Sequence, residues 1–388
     1  MATSCPHVAV VNRYFWHDGG IPVAVRNWVE ALAKYGARVT VFASDVEPTA
    51  AAPVAFVRVP APRWRRFDLG GFVFAARLWR QLSAWHRRHR IDIVQVHDSQ
   101  AYFGAYAFER RCRVPVVPFL HGWIYNPWRA IAYRKSQTLI YKMSARFIAR
   151  HAWRVGCISQ EIREGLARLG AEAHRLLLFP NALDLEAWPE AEAKAPAREE
   201  RQILFVGRFA REKGIESLLR ALPQVVRALP QAVCVMIGAE AQSPEGEAVL
   251  RLARELGVAD HLRLLGRLPH AQLRAHYAQA DVVVLPSLSE GHAIVPLEAL
   301  ASGTPVVATR ISGLVETVRD GDNGLLVPPG DPEALAEALL RLLQDEALYE
   351  RLKRRARPSV ARFSWQQAVE KFLALIPDPS PAAWRALV

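Results

Sequence analysis

Cysteine is scarce in this chain. The 388 residues hold four, Cys5, Cys112, Cys157 and Cys234, far apart and without a Cys-x-x-Cys pair. That argues against a disulfide framework or a cysteine zinc site and leads us to expect a reducing, cytoplasmic setting. No apolar run reaches the ~18 residues of a spanning helix. The opening MATSCPHVAVVNRYFW lacks the basic and apolar regions of a secretory signal. Neither an integral membrane protein nor a secreted one is expected. Also missing is a Gly-x-Gly-x-x-Gly after a strand, which an NAD-linked oxidoreductase would need.

Acid is missing from one long stretch. Residues 110–160 carry ten Lys or Arg and no Asp or Glu. The imbalance extends over residues 1–184, with 26 basic against 12 acidic residues, whereas 185–388 has 24 against 26. One half is therefore strongly basic and the other nearly neutral. A one-sided charge of this kind suggests a polyanionic or membrane-surface partner.

What the chain does have is alternation. VAVVN (8–12), ARVTVFAS (37–44), IDIVQVH (91–97), VPVVPFLH (114–121) and RVGCIS (154–159) read as strands. ILFVGR (203–208), AVCVMIG (232–238), HLRLLG (261–266), DVVVLPS (281–287), TPVVAT (304–309) and GLLVP (324–328) repeat the pattern. Amphipathic stretches such as VRNWVEALAKYG (25–36) and GIESLLRALPQVVRAL lie between them. Strands apolar on both faces and separated by helices predict parallel sheets in an α/β protein. The acidic, Ala- and Pro-rich segment near 185–200 reads as a linker. It divides the chain into an N-terminal Rossmann-like domain (1–184) and a C-terminal one (201–358). Residues 359–388 are expected to form a helical segment crossing the domain junction.

Two loops carry the chemistry. Ser289-Glu290-Gly291-His292-Ala293 follows the strand DVVVLPS, and a helix is expected to begin near Ala293. Free amides at such a start can hold phosphate oxygens, and Glu298 one turn further in can accept from a vicinal diol such as ribose. The second loop, in ILFVGRFAREKG, puts Arg208 just past a strand and Lys213 just before a helix. Two cations there suit a departing diphosphate. Either loop alone fits an ordinary capped helix or a solvated basic turn; together they weigh towards a site for a diphosphate and a ribose. Asp320-Gly321-Asp322 matches an Asp-x-Asp metal motif, but its setting VRDGDNGLLV predicts a turn. No metal is expected.

The string Gly-Arg-x4-Lys-Gly followed by PSLSEGHAIVPLEALASGTPVVAT resembles the retaining GT-B glycosyltransferases of group 1, which include bacterial mannosyltransferases and glycogen synthases. GGIPVAVRNWVEALAKYG, VQVHD, FLHG, CIS, FPNALD and FSW fall in that family's order, so the resemblance spans nearly the whole chain. Two departures are Ala182, where the family usually has Gly, and His292, where an aromatic residue is common. The resemblance implies a GT-B fold with two Rossmann-like domains facing a central cleft. It implies that Arg208 and Lys213 hold the leaving diphosphate, with help from the amides of Gly291, His292 and Ala293. Glu298 would bind the ribose, and Glu290 and His121 would contact the donor sugar. Gly19 and Gly20 would approach the donor phosphate, and the base would lie near Gly266-Arg267-Leu268. The implied reaction is front-side transfer with retention from a UDP- or GDP-linked donor, without a cofactor. A GT-B phosphorylase would need a longer chain and a pyridoxal lysine. A non-enzymatic polyanion-binding protein remains the competing reading.

Lys142, Arg146 and Arg150 recur every four residues, so they line one face of a helix. With Tyr125, Trp128, Tyr133 and Tyr141 nearby, they suggest that a lipid-linked or other saccharide acceptor is met at an anionic membrane surface; a basic face kept for solubility, or one that binds a soluble acidic acceptor, is the competing reading. Phe72, Ala75, Trp79, Leu82 and Trp85 form a second stripe, read as packing on the sheet.

Overall fold

Strands that are apolar on both faces can hide only between helices, and the chain is built that way throughout. The computed structural model describes residues 5–16, 20–45, 54–62, 69–126, 135–188 and 200–377. They divide into two compact units, Met1–Asn181 with Trp365–Val388, and Ala182–Ser364.

In the first unit, β1 (His7–Val11), β2 (Arg38–Ala43), β3 (Val54–Arg58), β4 (Ile93–Val96), β5 (Val116–Leu120), β6 (Val155–Cys157) and β7 (Leu176–Leu178) form one parallel sheet, ordered β3-β2-β1-β4-β5-β6-β7. The order reverses between β1 and β4. In an open α/β sheet ligands gather beyond the carboxyl ends of the strands at such a reversal. The helices Gly20–Lys34, Leu69–His89, Ala101–Cys112, Lys135–His151 and Gln160–Arg168 provide the crossovers. β3 and β7 were not anticipated: β7 is three residues long, and the start of β3 lies beside an Ala/Pro run that shows no alternation.

The second unit repeats the plan. β8 (Arg201–Val206), β9 (Ala232–Ile237), β10 (Leu262–Leu264), β11 (Val282–Leu285), β12 (Val306–Thr309) and β13 (Gly324–Val327) lie in the order β10-β9-β8-β11-β12-β13, all parallel. Here the reversal lies between β8 and β11, the two strands that carry the candidate loops. Helix starts are capped in the usual way: Ser243 accepts from the Gly246 amide, Asp331 from Ala334 and Asp345 from Leu348.

One detail of the expected organisation changes. Leu185–Ala187 is a 3-10 turn, not linker, and Trp188 is buried in the second unit's core. Arg357 holds this turn through the carbonyls of Leu185 and Trp188. Residues 189–199 lie outside the described residues. The final helix, Trp365–Leu373, follows the passage of the chain from the second unit back to the first, where Trp365 and Phe372 pack against Trp28 at 5.3 and 5.9 Å. Val360 and Phe363, just before it, are buried in the second unit.

Candidate active site

In the second unit, the loops after β8 and β11 meet at the strand-order reversal. The Leu288 amide donates to the Glu212 carbonyl at 2.8 Å. Gly214 has φ +66°, and a Cβ there would lie 1.9 Å from the Pro286 carbonyl oxygen, so only glycine lets the first loop press so close to the end of β11. The 3-10 turn Arg211–Lys213 then presents Lys213, whose Nζ lies 2.6 Å from Glu290 Oε1. Ser287 donates its hydroxyl to the same oxygen at 2.8 Å. Both members of the ion pair are mostly buried, so their mutual attraction is less screened than at a surface. Arg208 is more exposed and donates to Glu212 at 3.1 Å.

Glu298 is 5% exposed and its two oxygens are separately engaged. Tyr277 donates its hydroxyl to Oε2 at 2.7 Å, and His270 Nε2 lies 2.6 Å from Oε1. Burial first, then the Glu298 charge and hydrogen bond, push the Tyr277 phenol well above its ordinary range, so it is a permanent donor. The ring of Trp188 sits edge-on to His270 at 5.7 Å. Sequence reasoning missed Tyr277, His270 and Ser287. Ser287 stands three residues before Glu290 and was within reach of inspection; the other two come from a separate helix, His270–Gln279, that only the fold brings to Glu298.

Some expected positions differ. The helix after the Glu290 loop begins at Val295, not near Ala293, and has seven residues. Ile294 takes helical angles without a capping side chain, and Pro296 falls in the first turn. Gly291 and Ala293 are buried, and Gly313, at φ +83°, packs so that a Cβ would meet the Gly291 carbonyl oxygen at 2.6 Å. The His292 ring is turned into the core, 5.5 Å from Phe363 and with Nε2 3.4 Å from Thr317 Oγ1. Burial, with Arg362 adding to it, pulls its pKa down to about 3. The His292 side chain is thus packed inward, away from the loop surface, in this structure. The Arg267 amide donates to Glu240 Oε1 at 3.0 Å, and the same carboxylate fills the space beside Gly266. Glu240 was not singled out from sequence. Asp320 and Asp322 are held by Arg310 and by Arg319 and Arg355 around the expected turn. Among the described residues no cluster of three metal-ligating side chains occurs.

In the first unit, a cavity of about 260 Å³ opens at the carboxyl ends of β1, β4 and β5. His97, Asp98, His121, Tyr14, Trp123 and Tyr141 line it. Arg13 pairs with Asp98 at 3.4 Å, and His97 touches His121. Gly20 begins the helix after β1, while Gly19 lies outside the described residues. Lys142, Arg146 and Arg150 lie along the helix Lys135–His151, with Lys142 and Arg146 over the Tyr125 ring at 5.0 and 6.0 Å. Leu139 and Met143 stand exposed beside them, at 58% and 53%. Of the second stripe, Ala75 and Leu82 are buried, Trp79 and Trp85 pack against the core, and Phe72 is exposed. Trp128 and Tyr133 lie outside the described residues. No described helix is long and apolar enough to cross a membrane.

Comparison with known proteins agrees with this architecture. The family described as Glycosyl transferases group 1 matches residues 187–359, and Glycosyltransferase Family 4 matches residues 18–187. D-inositol 3-phosphate glycosyltransferase 1 of Catenulispora acidiphila is 30% identical over 92% of this chain and 90% of its own. The structure of sucrose-phosphate synthase from Thermosynechococcus elongatus superposes with a TM-score of 0.81 at 26% identity, over 95% of this chain and 98% of that one. Anabaena HepE in complex with UDP-glucose has the same fold, with a TM-score of 0.74 at 18% identity, over 95% of this chain and 99% of its own. These matches do not favour the polyanion-binding reading. Two parallel-sheet units, two charged loops at the second sheet's reversal and relatives matched along almost the full length place the chain in the group 1 glycosyltransferases, with a GT-B fold.

Proposed function

We propose that this glycosyltransferase moves a sugar, with retention, from a UDP- or GDP-linked donor to the hydroxyl of a saccharide or lipid-linked acceptor, and needs no metal. The observation that carries this reading is the Lys213–Glu290–Ser287 cluster on the joined loops. A nucleoside diphosphate leaving group gains negative charge as the glycosidic C–O bond breaks. Lys213 and Arg208 are cations on one short loop, suited to that charge as Mg²⁺ is elsewhere. A diphosphate drawing Lys213 towards itself leaves Glu290 held by Ser287 and able to accept from a donor-sugar hydroxyl. Glu298, with Tyr277 and His270 fixing its oxygens, is suited to the ribose diol.

The acceptor hydroxyl forms its new bond on the face from which the diphosphate departs, and its proton passes to the departing phosphate oxygen. No enzyme carboxylate need bond to the sugar, unlike in retaining hydrolases. His121 and the helix starting at Gly20 belong to the acceptor-binding unit in this reading. The first-unit cavity, with its aromatic walls, is suited to a saccharide ring. The membrane part of the reading rests on Leu139, Met143, Lys142, Arg146 and Arg150, an apolar and cationic helix face of the kind that lies at a headgroup interface.

A panel of UDP- and GDP-sugars, offered with and without simple saccharide acceptors, tests the proposal. Diphosphate release from one donor and an NMR-assigned product with the donor's anomeric configuration are expected. Inverted product, or release from no member of the panel, would overturn it.

A further inference from the structure

The register of the first sheet sets two histidines side by side. β4 and β5 are parallel neighbours with Val96 opposite Pro118, so the residues that follow them, His97 and His121, emerge at adjacent carboxyl ends. Their ring centroids are 4.9 Å apart, and His97 Nδ1 lies 2.6 Å from His121 Nε2. His97 is buried, leans on Phe119 at 5.2 Å, and is anchored by its amide to the Val11 carbonyl. Its other ring nitrogen, Nε2, is buried with no hydrogen-bond partner among the described residues. Resting on the reading of His121 as a residue that contacts the donor sugar, we propose that His97 is a positioning residue that fixes the tautomer and the ring orientation of His121.

A nitrogen-to-nitrogen hydrogen bond holds one proton, so one ring donates and the other accepts. Burial, reinforced by the neighbouring His121, drives His97 well below the ordinary histidine range. A neutral ring carries a single N–H. On Nε2 that proton would be a buried donor without an acceptor, a rarer and costlier arrangement than a bare acceptor. It therefore sits on Nδ1 and is donated to His121 Nε2. A neutral His121 that accepts through Nε2 carries its own proton on Nδ1, since the bond at one ring nitrogen settles the state of the other. His121 Nδ1 is thereby a hydrogen-bond donor and not a base. The other titratable groups lining the cavity are Tyr14, Tyr141 and the Arg13–Asp98 pair, which carries no net charge.

Long-range proton–nitrogen NMR on ¹⁵N-histidine-labelled protein reads the ring nitrogens directly. In the wild type, His121 should show a protonated Nδ1 and a bare Nε2. His97→Phe should remove this pattern, and His97→Asn, whose amide donates from the same side, should restore it. With the donor selected by the panel, kcat should fall about 10- to 100-fold in His97→Phe while KM holds. A wild-type His121 protonated on Nε2, or an unchanged His121 pattern in His97→Phe, would overturn the proposal. Should His97→Phe fail to fold, the wild-type spectrum and His97→Asn still decide it. Full turnover by His121→Ala would sink the role of His121 while leaving the tautomer measurement to stand alone.

Discussion

The two units use one sheet plan to make opposite kinds of sites. At the strand-order reversal of the second, charge is kept and matched: Lys213 against Glu290, Arg208 against Glu212, Glu298 against Tyr277 and His270. In the first, charge is removed: His97 is held neutral by burial, and Arg13 and Asp98 cancel. Net charge, then, does not locate a charged site. The basic half of the chain lines its cavity with the buried His97 and the cancelled Arg13–Asp98 pair and carries Arg146 and Arg150 exposed on a helix, whereas the nearly neutral half, which has more charged residues in total, matches Lys213 with Glu290 and Arg208 with Glu212 at its sheet reversal.

If that contrast is right, the largest effect comes from the second unit. Lys213→Ala should lower kcat/KM by on the order of 100-fold or more, about 3 kcal/mol of barrier, while circular dichroism stays near wild type and melting comes earlier because Glu290 is left to Ser287. Near-normal turnover at saturating donor would break the assignment. Glu298→Ala should lose comparable activity but should also melt earlier, because it strands the buried Tyr277 hydroxyl at a cost of about 1–3 kcal/mol. Glu298→Gln, which keeps an acceptor for Tyr277, should recover most of the stability and little of the activity.

A smaller effect concerns the helix face in the first unit. The triple change Lys142→Glu, Arg146→Glu, Arg150→Glu should abolish sedimentation with anionic vesicles, at about 1 kcal/mol per cation removed. Leu139→Ser with Met143→Ser, made in the wild-type background, should weaken sedimentation without abolishing it, and neutral vesicles should bind none of these forms. Equal recovery in the supernatant with and without anionic vesicles would end the membrane reading. Excess chelator should leave turnover within about two-fold if Arg208 and Lys213 supply the charge a metal would bring.

A last effect, read through pH, tests the buried His292. His292 has its pKa pulled down to about 3 by burial and by Arg362. Between that value and the unfolded value near 6.5, the unfolded chain binds the proton and the folded chain does not. Its stability contribution is therefore complete above about pH 6.5 and is lost as pH falls towards 3. Urea midpoints measured across this window should slope less in His292→Phe than in the wild type.

The fold class was legible in the residues alone. Apolar runs such as VAVVN and DVVVLPS, alternating with amphipathic stretches, admit little besides two parallel sheets covered by helices, because no other arrangement buries both faces. Every strand named from these runs is present, within a few residues at each end. The positions of Arg208, Lys213 and Glu290 at strand ends were legible for the same reason: a loop between a strand and a helix lies at the sheet's carboxyl edge. Which side chains meet there was not legible. The Lys213–Glu290 pair spans 77 residues and the Tyr277–Glu298 bond crosses between two helices, so each depends on which strands become neighbours. Likewise, nothing local in the sequence turns the His292 ring inward or brings His97 to His121. Strand order and register, set by the packing of the whole unit, decided both.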